Sequence, residues 1–312
     1  MKKVIAVEPY KKKEDLIFQQ SVFEAWSDLG GRVIYTMYPP RFLHFYISRF
    51  DYIHFNKNKR EARLKFMGGG CPEIKAFPDN LKYEIIPMFW DCWPNVFEKV
   101  CSFLQRNKVK TAIFTSSMTA ELIKKKFPKM NVLFVTEGID ISLYNEGELL
   151  KNRKIDLIEF GRSNKKIVNS EYLDTRLKHL YSKNGERLFP DFEEFSKALS
   201  NSKVTITLPR CDTHPEVAGN IETLTQRYWE CMLSRIIMLG RAPFELIDLI
   251  GYNPVININL GNADEQVLEI LNSIDKYQDL VNRNRAMALK MASWKLRVRE
   301  IMSFLISNGY EI

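Results

Sequence analysis

The feature that most constrains this chain is a repeated alternation. A short apolar run is followed by an amphipathic stretch with helical spacing, and then by another short apolar run. Apolar runs of strand length bounded by turn residues read as strands buried on both faces. When they alternate with helices they form βαβ units, whose parallel sheet needs both faces covered. The first half predicts strands at 2–7, 32–37, 83–90, 110–115 and 131–135. It predicts helices at 14–31, with Gly30 and Gly31 as the stop, and at 94–106 and 117–127.

A polar stretch, "DISLYNEGELLKNRK", separates this series from a second one. There the pattern predicts strands at 154–161, 203–209, 235–240 and 254–258. Helices are expected at 165–181, 191–200, around Glu230 and at 243–251, with a long helical tail over 263–307. A chain of 312 residues exceeds the size at which single cores stop growing, so two domains are expected. We place them at 1–145 and 146–290, with 291–312 packing back on the first. Both are Rossmann-like doubly wound domains facing a cleft, where parallel sheets bind ligands at their carboxyl edges.

Several chemistries lose support at once. There is no G-x-x-x-x-G-K-[ST] phosphate loop, and the cluster Gly68 to Gly70 does not follow a strand in G-x-G-x-x-G form. No H-E-x-x-H and no D-x-D pair is present, so no metal and no cofactor is expected. The four histidines (His44, His54, His179 and His214) are spread along the chain and read as surface or packing residues. Five scattered cysteines without a C-x-x-C suggest neither disulfides nor zinc. No apolar run is long enough to span a bilayer, and the start "MKKVIAVEPYKKK" is too short in its apolar part for a signal peptide. A cytoplasmic protein is therefore expected. A net charge of +8 favours anionic partners: nucleic acid, an acidic membrane surface or a phosphorylated substrate.

Four features line up in the second half. A strand ends in "VTEGID"; a strand ends in "EFGRSNKK", with Gly161, Arg162, Lys165 and Lys166; Glu222 and Glu230, with seven residues between them, lie at the start of a predicted helix; and "RAPFELIDLIG" follows. This order resembles the two-domain GT-B glycosyltransferases, particularly the retaining family 4 type, over roughly 110–260. The resemblance implies a nucleotide-diphosphate sugar donor held by the second domain and an acceptor side on the first. It implies that Arg162 and Lys166 or Lys165 hold the donor diphosphate beside Gly161, that Glu222 contacts the donor sugar, and that Glu230 holds the ribose hydroxyls. Where that family places glycines after the first glutamate, this chain has Thr223 and Thr225, whose hydroxyls are candidate donors to phosphate. The segment "LTQRYWE" also resembles a neighbouring GT-B group marked by an arginine three residues before the glutamate, here Arg227. In that reading Glu222 loses its role. Glu216 is another candidate for the sugar contact, and Glu245 is either a donor contact or a helix-terminus charge.

The chemistry asks for such residues. Breaking the bond between a sugar and a nucleotide diphosphate leaves negative charge on the β-phosphate, which without a metal needs fixed cations. An arginine fork, a lysine and the N–H groups of a helix N-terminus over 223–227 supply them.

The first half offers less. The segment 41–66 carries seven Lys or Arg and two acids among many aromatics. It reads either as a patch docking on an anionic leaflet, or as core aromatics with cations at their solvated edge. Asp91, beside two tryptophans in "MFWDCWPNVF", either binds or deprotonates an acceptor hydroxyl or is packing.

The expectation is thus a glycosyltransferase, metal-independent and retaining, that acts on a glycan or lipid-linked acceptor in surface polysaccharide synthesis. It would be peripheral on the inner membrane face. Alternatives are a noncatalytic basic protein binding single-stranded nucleic acid, which the motifs disfavour, and a GT-B relative acting as epimerase or phosphorylase.

Overall fold

The structure is a computed structural model that describes residues 1–9, 17–37, 39–49, 58, 60–68, 70–161, 167–182 and 188–312. Its strands are β1 (Lys2–Pro9), β2 (Arg32–Thr36), β3 (Glu61–Gly68), β4 (Glu84–Trp90), β5 (Thr111–Phe114), β6 (Asn131–Phe134), β7 (Ile155–Ile158), β8 (His179–Leu180), β9 (Ser202–Thr207), β10 (Ile237–Gly240), β11 (Ile256–Asn257) and β12 (Tyr310–Glu311). Its helices are α1 (Ile17–Asp28), α2 (Arg41–Arg49), α3 (Pro72–Ala76), α4 (Asp79–Lys82), α5 (Pro94–Arg106), α6 (Ser117–Lys126), α7 (Ser170–Asp174), α8 (Phe192–Ser200), α9 (Arg210–Thr213), α10 (Pro215–Ala218), α11 (Gln226–Leu233), α12 (Phe244–Ile250), α13 (Ala263–Asn272), α14 (Gln278–Met291) and α15 (Trp294–Ser307).

These elements form two compact units. The first takes 1–138, 214–223 and 294–312; the second takes 139–213 and 224–293.

Among the described residues the first unit has a seven-stranded sheet in the order β12-β1-β3-β4-β5-β6, with β2 also pairing β1. Every pairing is parallel. The uninterrupted apolar runs have their reason here: Val4 to Val7 of β1 and all of β4 are buried, because helices cover both faces. α5 starts at Pro94, where a missing N–H costs nothing, and buries Val100, Phe103 and Leu104. The N-cap of α6 is Ser116, whose hydroxyl accepts from the Thr119 N–H, and its last turn holds Lys124 to Lys126 at the negative dipole end. α15 returns to this unit, where Trp294, Val298, Ile301 and Leu305 pack with Val4, Ala6 and Leu64. β12 then pairs Tyr310 with Lys2 of β1.

The second unit has a five-stranded parallel sheet in the order β11-β10-β9-β7-β8. One apolar cluster gathers Trp229, Met232, Met238 and Leu246. Another gathers Leu157, Val204, Leu239, Val267 and Ile270. Together they cover the two faces of a doubly wound sheet.

Three expectations are corrected. Residues 167–181 are not one helix: they form α7 and then β8, because His179 and Leu180 add a parallel edge strand beside Leu157 and Ile158. The helical tail is present as expected, divided into α13, α14 and α15 with a 3-10 turn at Ile274–Tyr277. The segment 41–66 contains β3, which the sequence analysis did not place. For its described part the reading of core aromatics with cations at their solvated edge fails, since Arg63 and Lys65 are buried while Phe42, Phe45 and Tyr46 are exposed. Finally, α11 begins at Gln226, so Glu222 lies before the helix and 223–227 is not its first turn. Among the described residues no helix is long and apolar enough to cross a membrane.

Candidate active site

In the second unit the chain leaves β7 toward β8 on one side and then returns to β9 on the other. The carboxyl ends of β7 and β9 thus flank the point where strand order reverses, where open α/β sheets bind ligands. β7 ends at Ile158, and Glu159, Phe160 and Gly161 follow. Gly161 has φ +70, a left-handed conformation that side chains resist, and a Cβ there would overlap the Arg227 guanidinium. Glycine is therefore required at this turn on two counts.

Arg227 stands in the first turn of α11, 5.4 Å above the Phe160 ring. Among the described residues nothing accepts a hydrogen bond from its guanidinium. An arginine held by an aromatic face and a glycine turn, with its N–H groups uncommitted, is built to meet an anion.

One turn further along, the Glu230 carboxylate accepts a 3.0 Å hydrogen bond from the Tyr144 hydroxyl. Burial raises the Glu230 pKa above its ordinary value, opposed by that hydrogen bond and by the Arg227 charge. Burial also holds the Tyr144 hydroxyl firmly protonated, helped by the Glu230 charge. Tyr144 is itself fixed edge-on to Phe192 at 5.4 Å. The pair is a carboxylate acceptor with one oxygen committed to Tyr144.

Neighbouring groups hold this arrangement in place. Thr225 is the N-cap residue of α11, in extended conformation, and its side chain makes no capping bond. The buried Glu245 carboxylate accepts the Leu224 N–H at 2.7 Å, so it ties the chain entering α11. Tyr228 donates to the Arg241 carbonyl at 2.7 Å. On the other side of the turn, His179 lies between Glu159, at 3.0 Å, and Asp174, at 3.1 Å, which links the ends of β7 and β8 beside Phe160.

Arg162, Lys165 and Lys166, which the sequence analysis assigned to the diphosphate, lie outside the described residues. Glu222 belongs to the first unit and Glu230 to the second. Glu222 is half-buried, its N–H donating to Met118 Sδ at 3.4 Å and its carbonyl accepting from the Ser116 hydroxyl at 3.1 Å. Thr223 is buried, and its hydroxyl donates to the Thr115 carbonyl at 3.0 Å. That hydroxyl hydrogen is committed to the fold. Glu216 is exposed on the short helix α10.

Also in the first unit, Asp91 follows β4 with φ +55 and accepts a 3.1 Å bond from the Trp93 indole. It opens on a small hollow at the ends of β4 and β5, lined among others by Thr115, Ser116, Thr119 and Thr223.

The sequence analysis missed Tyr144, Phe160 and His179. Tyr144 fell in the stretch taken as linker, 86 residues from its partner. No spacing signal connects residues so far apart. Phe160 was legible only as the apolar end of a strand.

No family model matches the sequence and no curated protein is similar to it. Solved structures do match in fold. Anabaena HepE, solved with UDP and glucose, superposes with a TM-score of 0.58 at 9% identity, over 98% of this chain and all of that one, 100%. Sucrose-phosphate synthase from Thermosynechococcus elongatus gives 0.62 at 9% identity over 99% of both chains. AviGT4, a glycosyltransferase involved in avilamycin A biosynthesis, gives 0.57 at 10% identity, again over 99% of both. The fold is α/β of the GT-B type, as the sequence resemblance implied.

Proposed function

We propose that this protein is a glycosyltransferase that takes a sugar from a nucleotide-diphosphate donor. The observation that carries the reading is Arg227, held over Phe160 beside the Gly161 turn at the carboxyl end of β7, with Glu230 one turn deeper. A cation with uncommitted N–H groups beside a hydrogen-bond acceptor suits a ligand that carries phosphate at one end and hydroxyls at the other. The donor base to try first is uracil, because HepE was solved with UDP.

In this reading the second unit is the donor side. Arg227, with Arg162 and Lys166 or Lys165, neutralises the diphosphate; Gly161 lets the backbone approach it; Glu230 accepts from the ribose hydroxyls. Thr225 is available as a further hydroxyl donor. Glu222 or Glu216 contacts the sugar, and Thr223 supports the backbone there. The first unit is the acceptor side, with Asp91 binding the acceptor hydroxyl. The anomeric carbon–oxygen bond breaks and its electron pair stays on the β-phosphate. The acceptor oxygen bonds to the anomeric carbon and its proton passes to the departing phosphate. Such transfer is retaining and needs no metal. A glycan or lipid-linked acceptor, surface polysaccharide synthesis and a place on the cytoplasmic face of a membrane complete the reading.

Thermal shifts test it. UDP or another nucleoside diphosphate at a hundred times its dissociation constant should stabilise the protein by about 2.7 kcal/mol. Arg227→Ala and Arg162→Ala should each weaken that binding by about 2 to 3 kcal/mol, the worth of a charged hydrogen bond. No shift with any nucleoside diphosphate, or affinities unchanged by both substitutions, would remove the assignment.

A further inference from the structure

Beside the candidate donor edge, the second unit holds a buried charge cluster that the transfer chemistry does not use. Side chains alternate along β7, so Leu157 and Glu159 stand on one face of the sheet, and Ile158 and Phe160 on the other. β8 pairs His179 with Leu157, which puts His179 and Tyr181 on the Glu159 face. The Glu159 side chain is 5% exposed, and that of His179 is wholly out of water. His179 Nε2 lies 3.0 Å from Glu159 Oε1, and Nδ1 lies 3.1 Å from Asp174 Oδ1. The Tyr181 hydroxyl donates to the second Asp174 oxygen at 3.0 Å, and its ring lies against the imidazole at 4.3 Å.

An ionised carboxylate only accepts hydrogen bonds, and a neutral imidazole has a single N–H. With a carboxylate oxygen before each ring nitrogen, only a ring that carries hydrogen on both satisfies both contacts. Such a ring is a cation held between two acids. Among the described residues, His179 is the only side chain that bonds or pairs with the Glu159 carboxylate. Lys203, on the neighbouring strand β9, is committed to Asp156 at 2.7 Å.

Glu159 is followed directly by Phe160 and Gly161, which seat Arg227. A buried carboxylate without its cation is costly, and the chain that carries it moves to bring it to water. The turn would move with it. An uncompensated acid at this edge would also oppose the arginine that is to meet a phosphate.

We propose that His179, as an imidazolium, is a positioning residue for the donor: it neutralises Glu159 and fixes the turn of Phe160 and Gly161 from the opposite face of the sheet, so that Arg227 is presented to the diphosphate. The proposal rests on the transferase reading for its ligand, and the cluster is measured apart from it.

Nitrogen NMR of the histidine-labelled full chain, with the His179 signals identified by their loss in His179→Gln, should show hydrogen on both ring nitrogens under the conditions of a UDP titration. In that titration, run well below the melting temperature, His179→Gln should weaken UDP binding by about tenfold, the scale of a lost charged hydrogen bond. Adding Glu159→Gln removes the uncompensated acid. The double variant should recover most of both the melting temperature and the UDP affinity, a rescue that a residue merely filling space would not give. Should His179→Gln alone fail to fold, a double variant that folds and binds UDP supports the charge pairing, and one that does not overturns it. A ring nitrogen without hydrogen, an unchanged UDP affinity in His179→Gln, or a double variant no better than His179→Gln overturns the proposal. A wild-type chain that does not bind UDP strikes the donor assignment instead, and the NMR signals with the rescue of the melting temperature then decide the cluster.

Discussion

Glu230 is half-buried, bonded to Tyr144 and one turn from Arg227. Because burial raises its pKa above the ordinary 4.5, the native state keeps the Glu230 proton to a higher pH than the unfolded chain does. Through that window the folded state binds more protons, so this group's contribution to stability falls as pH rises. Glu230→Gln removes the titration and keeps an oxygen for Tyr144. Urea unfolding should show the glutamine variant gaining stability relative to wild type between pH 4.5 and pH 7. The opposite trend would mean that the Tyr144 bond and the Arg227 charge outweigh desolvation. Affinity for a nucleoside diphosphate should fall by about tenfold in the same variant, since a charged acceptor is replaced by a neutral one.

Among the elements, β3 shows why a basic stretch escaped recognition as a strand. Arg63 and Lys65 project from one face of β3 into the space under α4, where Lys65 meets Asp79 at 2.5 Å. Arg63 meets Glu61 at 2.9 Å and stacks on the Tyr83 ring at 3.6 Å. The other face, Ala62, Leu64 and Phe66, lies in the apolar core. Alternation in this strand is apolar against buried cation, which on paper looks like apolar against solvated cation. Burial lowers the Lys65 pKa, and Asp79 opposes that shift. Asp79→Asn leaves two buried cations short of an anion and should cost about 3 to 5 kcal/mol in urea unfolding. Adding Lys65→Met to that variant should recover much of the loss, because the uncompensated charge goes with the side chain. A double variant no more stable than Asp79→Asn would show that the ion pair is not what holds α4 to β3.

Taken together, the path of the chain makes the first unit depend on its distant ends. Residues 214–223 return to it midway through the second unit, and 294–312 return after the second unit ends. α15 and β12 supply Trp294, Val298, Ile301, Leu305 and Tyr310 to its core. The Tyr310 hydroxyl joins Glu84 at 2.6 Å and Thr111 at 3.0 Å. A fragment of residues 1–138 should therefore lack a cooperative urea transition, and adding a peptide of residues 294–312 should restore near-ultraviolet circular dichroism. A fragment that unfolds cooperatively by itself would show that the returning helix only covers a finished core. What the sequence alone determined is the succession of buried strands and covering helices, because the period of apolar residues is a local property, readable within one element at a time. It also marked Gly161, Arg227 and Glu230, since the turn and the first turns of a helix bring residues near in sequence close in space. Only the tertiary structure decided that Tyr144 bonds Glu230 across 86 positions, that Glu222 and Glu230 belong to different units, that Arg63 and Lys65 are inside and that Phe42, Phe45 and Tyr46 are outside. These outcomes depend on which distant elements share a core, and a residue's own neighbours in the chain carry no record of that choice.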